Sequence, residues 1–153
     1  MDAYPDGTLV DENGQEYYSL FWEGNNKDDF HFKEGFIVEG KNTAIFLEKT
    51  LKKLGLNRRE ANEFIIYWLP QMENNNYNLI HFSTQEYEEE ARLFIDPNPD
   101  KIIRIMMVWS PLKKKINIPI QNLESINEKR EGFTVVEWGG KKQYFNNFIY
   151  LNK

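Results

Sequence analysis

The order of elements along the 153-residue chain predicts an α+β domain, with a mostly antiparallel sheet and a central two-helix hairpin packed on it. Strand-like segments come first, two segments with helical spacing follow, and strand-like segments return in the second half. A chain of this length suits one domain and buries roughly two-thirds of the surface that it exposes when unfolded. We therefore expect residues 1–153 to form a single domain with a sizeable core.

Composition and charge exclude several classes of protein. The chain contains no cysteine, so a disulfide scaffold, a thiolate zinc site and a cysteine nucleophile are excluded. A net charge of -5 and scattered basic residues disfavour nucleic acid as a partner. No apolar run approaches the ~18 residues of a membrane span. The first residues lack the basic and apolar regions of a signal peptide, which predicts a cytoplasmic protein for the chain as it stands.

The first forty residues carry strand and turn signals. Strand-like residues 8–10 and 15–22 flank a loop that ends in Asn13-Gly14, and this pair is typical of a hairpin with a type I′ turn. Farther along, aromatic and apolar residues recur at even spacing, which predicts extended chain on both sides of a glycine turn. These residues are Phe30, Phe32, Phe36 and Val38, on either side of Glu34-Gly35.

The first of the two helices is predicted to begin at Asn42 or Thr43, because both residue types can cap a helix N-terminus. Gly55 stands where a left-handed residue is needed to end it. The apolar residues at helical spacing between these points are Leu47, Leu51 and Leu54.

The second helix has a capping-box start, with Asn57 at the cap and Glu60 at the third helical position. An apolar stripe follows at the spacing of one helix face. Residues 64–69 are all large and apolar or aromatic, so we expect this helix to be buried on most sides. Pro70 is expected to end or kink it. The stripe consists of Ala61, Phe64, Ile65, Trp68 and Leu69.

The second half of the chain returns to strands. Ser83 is predicted to cap a short acidic helix that runs to Ala91. A proline-bracketed loop at residues 96–100 predicts that the segments beside it form a hairpin. Gly139-Gly140 is expected to end the strand that precedes it. The predicted strands span residues 79–82, 92–95, 102–109, 133–138 and 143–151.

Motifs that hold cofactors, phosphates or metals are missing, so no cofactor and no metal are predicted. His31 lies two residues after Asp29, and the pair is either the start of a metal site or a surface histidine near a carboxylate. His81 alternates with Ile80 and Phe82, which predicts that it lies on the less buried face of a strand.

Three glutamates are weak catalytic candidates: Glu23, Glu63 and Glu137. A carboxyl group in apolar surroundings has a raised pKa and can act as a general acid or base. Two of them across a cleft would meet the requirement of a glycosidase. The alternative for each is a structural or solvated role. Trp22 and Trp138 adjoin two of these glutamates, so Trp22, Glu23, Glu137 and Trp138 are the candidate ligand-binding residues.

Five strings of the sequence resemble an uncharacterised family of bacterial proteins, mainly from Clostridia and related Firmicutes. The strings are AYPDGTL, EYYSLFWEG, GLNRREANEFIIYWLPQME, NPDKIIRIMMVWSPL and GFTVVEWGG, and they span residues 3–140. The resemblance implies no activity and no catalytic residue. Members of that family often carry a further β-rich segment before the first string, and some carry an export signal. The chain is thus either a short member or the C-terminal part of a longer architecture.

Three functional hypotheses follow from these observations. The first is a non-catalytic binding or interaction module that recognises a protein or a glycan, because the aromatic-rich chain has no recognised catalytic constellation. The second is a glycan-acting hydrolase that uses a pair of the glutamates. The third is a structural subunit whose exposed aromatic residues pack in a homo-oligomer. The sequence favours a protein that is not an enzyme.

Overall fold

A computed structural model describes residues 1–24, 30–125 and 130–144 of the chain. The α+β prediction is confirmed: these residues form helices together with two sheets in which most neighbouring strands are antiparallel. Residues 145–151 of the predicted last strand lie outside the described residues. In the described part of the chain, no helix has the length and apolar character needed to cross a bilayer.

A small three-stranded meander opens the chain. Its strands are β1 (Asp2–Ala3), β2 (Leu9–Val10) and β3 (Glu16–Tyr17), each antiparallel to the next. The predicted hairpin is therefore confirmed, but its turn is not type I′, because Gly14 has a φ of 78° while no described non-glycine residue has a positive φ. The Asp11 carboxylate instead organises this turn: hydrogen bonds from the backbone, first that of Gln15 and also that of Asn13, lower its pKa.

The larger sheet has the strand order β4-β5-β6-β7 among the described residues. β4 pairs with β5 and β5 with β6 in antiparallel register, whereas β7 runs parallel to β6. The strands span Phe36–Glu39 (β4), Tyr77–Phe82 (β5), Lys101–Leu112 (β6) and Thr134–Lys142 (β7).

The helices divide between the two sides of this sheet. Helices α1 and α2 form the predicted hairpin and pack on one side, which we call the helix face, whereas α3 lies over the opposite side, which we call the second face. The boundaries are Thr43–Lys53 for α1, which a 3-10 turn at Gly40–Asn42 precedes, Arg58–Met72 for α2 and Thr84–Glu90 for α3.

The start of α2 and the end of α1 follow the predicted local signals, a capping box and a left-handed glycine. The Asn57 side chain accepts from the Glu60 backbone at 2.9 Å while the Glu60 carboxylate accepts from the Asn57 backbone at 2.8 Å, so the capping box is confirmed. Gly55 has a φ of 93° and ends α1, and Leu56 N–H donates to the Leu51 carbonyl at 3.0 Å, as in a Schellman motif. Neither Asn42 nor Ser83 makes a side-chain capping bond.

Of the two outcomes predicted at Pro70, an end or a kink of α2, the end is wrong, because the helix continues to Met72. Proline removes one backbone donor, but packing outweighs that loss here. Met72 is fully buried, and its carbonyl accepts a hydrogen bond from the Asn78 side chain at 2.9 Å. The expected burial of α2 on most sides is also wrong, since Ile66 and Tyr67 remain 67% and 47% exposed.

Two strand predictions in the second half are wrong, because contacts between distant parts of the chain decide where these strands form and end. Residues 92–95, all of them described, form no strand, because β5 and β7 occupy the two edges of β6. Gly139 and Gly140 do not end β7, which continues to Lys142. A Cβ on Gly140 would lie 2.6 Å from the Trp68 ring, so glycine is needed there for the helix to approach the strand.

Candidate functional site

Glu137 and Trp138 are neighbours on β7, and the strand sends their side chains to opposite faces of the sheet. Glu137 lies opposite Arg104 of β6 and faces the second face. Trp138 lies opposite Ile105 and faces α2. One predicted pair of site residues is therefore divided between two environments.

The Glu137 carboxylate belongs to a buried polar cluster on the second face. Arg104 Nε donates to Glu137 Oε2 at 2.5 Å, and the two side chains are only 5% and 11% exposed. The Tyr87 hydroxyl of α3 donates to Glu137 Oε1 at 2.9 Å. Arg104 Nη1 donates to the Ala91 carbonyl at 2.7 Å, at the end of the same helix. Both carboxylate oxygens of Glu137 are thus engaged by protein donors.

This cluster holds α3 against the sheet. The Arg104 guanidinium lies over the Tyr87 ring, with its central carbon 4.6 Å from the ring centre. Burial, and then the hydrogen bond to Glu137, raises the pKa of Tyr87 to about 12, so its hydroxyl is protonated and can donate at pH 7. We interpret the cluster as structural, because both carboxylate oxygens of Glu137 accept hydrogen bonds from protein donors and its side chain is only 11% exposed.

On the helix face, Trp138 joins an aromatic cluster with α2. Its ring lies 5.3 Å from Phe64 and 6.3 Å from Tyr67, measured between ring centres. Tyr67 in turn packs edge-on against Trp68 at 4.9 Å. Trp138 is partly buried within this cluster, whereas Tyr67 presents much of its ring to solvent.

Glu63 lies on the solvent side of α2 and pairs with Arg59, whose Nε is 3.2 Å from the carboxylate. The Arg59 guanidinium also lies over the Tyr18 ring at 5.1 Å, and it thereby connects α2 to the meander. The structure does not bring Glu63 and Glu137 together, because they lie on opposite sides of the sheet. The glutamate pair of the hydrolase hypothesis thus has no shared cleft at these two positions.

The remaining predicted pair, Trp22 and Glu23, lies after β3 and is exposed. It belongs to what we call the N-terminal segment, residues 1–24. Every large apolar or aromatic side chain from residue 17 to residue 22 is exposed, and we call these residues the aromatic run. The exposed fractions are 40% for Tyr17, 66% for Tyr18, 59% for Leu20, 76% for Phe21 and 51% for Trp22.

His81 is buried rather than on a less buried face, because Phe32 covers it. The two rings are stacked with centres 4.2 Å apart and an interplanar angle of 4°. His81 Nδ1 lies 2.9 Å from the Glu34 carbonyl. Burial lowers the pKa of His81 to about 4 and outweighs the opposing effect of this hydrogen bond, so the imidazole is neutral near pH 7.

Sequence reasoning missed Arg104, Tyr87 and Ser83. A signal existed for the first: Arg104 interrupts the apolar run of β6, and a charge inside a buried strand requires a buried partner. The sequence has 24 acidic residues from which that partner had to be chosen, so only the register of β7 against β6 identifies Glu137.

No group of three or more metal-ligating side chains occurs among the residues that the structure describes. Asp29, the proposed partner of His31, lies outside them, so that pairing stays untested. The chain matches no protein-family model, no curated protein and no solved structure. The resemblance to the Firmicutes family therefore stays a prediction.

Proposed function

We propose that this protein is a non-catalytic binding module whose N-terminal segment recognises a protein partner that carries basic and apolar side chains. The observation that carries the proposal is the exposure of the whole aromatic run. Single exposed apolar residues are common on protein surfaces, but contiguous exposed patches mark interaction sites. Phe21 alone is 76% exposed, and its neighbours Leu20 and Trp22 are each more than half exposed.

The charge of the same segment indicates the chemistry of the partner. Residues 1–24 contain six acidic residues and no lysine or arginine, whereas the whole chain has a net charge of only -5. The negative charge is therefore concentrated beside the aromatic run. Complementary charge increases the association rate and selects partners of opposite sign. The acidic residues are Asp2, Asp6, Asp11, Glu12, Glu16 and Glu23.

A contact between the N-terminal segment and α2 holds part of the aromatic run in place. Tyr18 lies over the guanidinium of Arg59 on α2, and Arg59 is itself paired with Glu63. This contact orients one ring of the aromatic run against the helix. Exposed Tyr67 on the same helix supplies further aromatic surface beyond the run. A binding surface that is partly positioned in advance loses less entropy on association.

The composition of the run favours a protein over a glycan. Sugar recognition depends on aromatic rings that stack and on polar groups that bind hydroxyls, whereas Leu20 offers neither. Leu20 and Phe21 suit an apolar protein surface, and the acidic residues of the segment suit lysine or arginine at the rim of that surface.

The experiment is a comparison of two arrays, one of synthetic peptides and one of glycans. The peptides vary independently in lysine and arginine content and in leucine and phenylalanine content. We expect the protein to bind peptides that combine both features, and we expect added salt to weaken binding because exposed charges are screened. The double variant Phe21→Ala/Trp22→Ala should lose this binding.

Ile45→Ala is the matched control, because Ile45 is 56% exposed on α1 and lies outside the N-terminal segment. It should bind as the wild type does. Binding that is confined to glycans, or peptide binding that survives the double variant, would reject the proposal. A stable dimer that the double variant dissociates would instead identify a second copy of the chain as the partner.

A further inference from the structure

A cavity of about 460 Å³ opens in the N-terminal segment, where β3 leads into the aromatic run. Its size lies within the range for sites that hold small ligands. The residues that line it are Thr8, Glu16, Tyr17, Tyr18 and Ser19. A smaller cleft of about 330 Å³ lies beside Ser83, between β5 and α3, but its walls mix carboxylates with side-chain amides and select no single class of ligand.

Two aromatic side chains of the larger cavity are accessible to a ligand. Tyr17 and Tyr18 are 40% and 66% exposed. The Arg59 guanidinium lies over the Tyr18 ring, with its central carbon 5.1 Å from the ring centre. Because a ring has two faces and most of Tyr18 is exposed, the face opposite Arg59 is open to solvent. This face can make the same contact with a second cation.

Negative charge surrounds these rings. Glu16 lines the cavity and is exposed. The Asp11 carboxylate accepts a hydrogen bond from the Tyr17 hydroxyl at 3.4 Å, and the Asp6 carboxylate accepts one from the Thr8 backbone at 2.9 Å. None of the described residues that line the cavity is a lysine, an arginine, a histidine or a side-chain amide. The cavity therefore suits a cation.

Carboxylates beside aromatic rings suit a guanidinium better than an ammonium group. A guanidinium is planar, so it can stack on a ring while its edge donates to a carboxylate. Arg59 makes both contacts at once, because its Nε also donates to Glu63 at 3.2 Å. The hydroxyls of Thr8 and Ser19 are further acceptors for the donors of a guanidinium in the cavity.

We infer that this cavity binds the guanidinium group of an arginine side chain on the protein partner, stacked on Tyr18 and paired with Glu16. The source of the arginine rests on the proposed function, in which the partner presents basic side chains beside apolar ones. Leu20 and Phe21 directly follow the cavity in the chain, so one partner surface can reach both. The cavity selects the basic residue, and the aromatic run supplies apolar contact.

The test is an NMR titration of the full chain with N-acetyl-arginine amide and with N-acetyl-citrulline amide, which has nearly the same shape but no charge. We expect the arginine compound to shift the backbone amide signals of the cavity residues, and the citrulline compound to leave them unchanged. Glu16→Gln should weaken binding of the arginine compound about threefold, as for an exposed ion pair. Tyr18→Leu should weaken it by a similar factor, as for an exposed cation–π contact.

Glu12→Gln is the matched control, because Glu12 is exposed in the same segment but does not line the cavity. The two glutamine variants change the net charge equally, and Glu12→Gln should bind the arginine compound as the wild type does. Equal losses in both variants, equal shifts by both compounds, or no shift by either would overturn the inference. Equally tight binding of N-acetyl-lysine amide would overturn the choice of a guanidinium.

A peptide experiment distinguishes a partner's side chain from a free guanidinium compound. A peptide that combines arginine with leucine and phenylalanine should bind more tightly than N-acetyl-arginine amide, and Phe21→Ala/Trp22→Ala should remove that advantage. Equal affinities of the peptide and the amide would overturn the protein source in favour of a free small molecule. Unchanged discrimination between arginine and citrulline peptides in Glu16→Gln would reject the cavity alone. Unchanged peptide binding in Phe21→Ala/Trp22→Ala would reject the aromatic run alone.

Discussion

Two tryptophan–glutamate pairs with the same chemistry have opposite positions in this molecule. Trp22 and Glu23 are both exposed in the N-terminal segment. Glu137 and Trp138 lie within β7, one in a buried ion pair and the other against α2. Residue type alone therefore does not identify a functional site. The first pair is exposed to solvent, whereas the side chains of the second pair make contacts within the fold.

The difference comes from the strand that carries the second pair. β7 pairs with β6 over its whole length, so alternate side chains are forced into the two layers of the core. A buried glutamate in such a strand requires a cation beside it, because an unpaired buried charge is costly. Arg104 lies directly opposite Glu137 and supplies that cation. After β3 ends at Tyr17, no described strand constrains Trp22 and Glu23 in this way.

The largest effect is expected from Glu137→Ala. The change leaves the Arg104 charge buried without its partner, and such losses cost about 3–5 kcal/mol of unfolding free energy. Urea unfolding at pH 7 measures this loss. The matched change Glu23→Ala should leave the urea midpoint where it is in the wild type, because Glu23 is exposed.

Replacing both charges sharpens the interpretation. Arg104→Met combined with Glu137→Leu should be more stable than Glu137→Ala, because no uncompensated charge remains in the core. A double variant as unstable as the single one would show that Arg104 contributes through its contacts with Tyr87 and Ala91 rather than through charge.

The two tryptophans give the next contrast. Trp138→Ala removes the ring that packs on Phe64 and Tyr67. Because that ring is partly buried, its loss should lower the free energy of unfolding by about 2–3 kcal/mol. Trp22→Ala should leave thermal unfolding unchanged while it weakens partner binding. A large loss of stability in Trp22→Ala would place that ring in the core and contradict the comparison.

The parts of the fold that could be predicted from the sequence are those that a few neighbouring residues decide. The capping box at Asn57 and the left-handed Gly55 are local signals, and the structure confirms both. The parallel pairing of β6 and β7 joins residues more than thirty positions apart, and no local pattern specifies it. Separation along the chain also hides the partner of Arg104 and the close contact between Gly140 and Trp68.

The candidate site was predictable only in part. Exposure of the N-terminal Trp-Glu pair could not be distinguished from the burial of the other, because both are flanked by apolar residues and glycine. The sequence does not predict the cleft beside Ser83, since residues from three separated parts of the chain form it. The predicted capping bond of Ser83 is wrong, because its hydroxyl has no hydrogen-bond partner among the described residues.

The two histidines extend the contrast to pH. The pKa of His81 is about 4 in the folded protein and near 6.5 when the chain is unfolded, so between these values only the unfolded state binds the proton. The contribution that neutral His81 makes to the free energy of unfolding is therefore fully present above pH 6.5, and it is lost as the pH falls toward 4. The loss between pH 7 and pH 5 should be about 2 kcal/mol in urea unfolding.

Carboxylates also titrate in acid, so the contribution of His81 is measured as a difference between variants. His81→Gln keeps a donor for the Glu34 carbonyl but cannot titrate, and it should lose less stability between pH 7 and pH 5 than the wild type. His31→Gln, at an exposed position, should follow the wild-type profile. Parallel profiles for all three proteins would mean that His81 does not titrate differently in the folded state.

The smallest effect is expected from Tyr87→Phe, which removes one donor to Glu137 and keeps the ring over Arg104. A hydrogen bond to a charged group contributes about 1.5–3 kcal/mol to the free energy of unfolding. We expect the lower end of this range, because Arg104 still neutralises the carboxylate. Urea unfolding should therefore place this variant between the wild type and Glu137→Ala. In the Arg104→Met/Glu137→Leu background the same change should cost much less, because the hydroxyl then has no carboxylate to bind. An equal cost in both backgrounds would mean that the hydroxyl stabilises the protein through a contact other than the one with Glu137. Arg104 would then be the donor that stabilises buried Glu137.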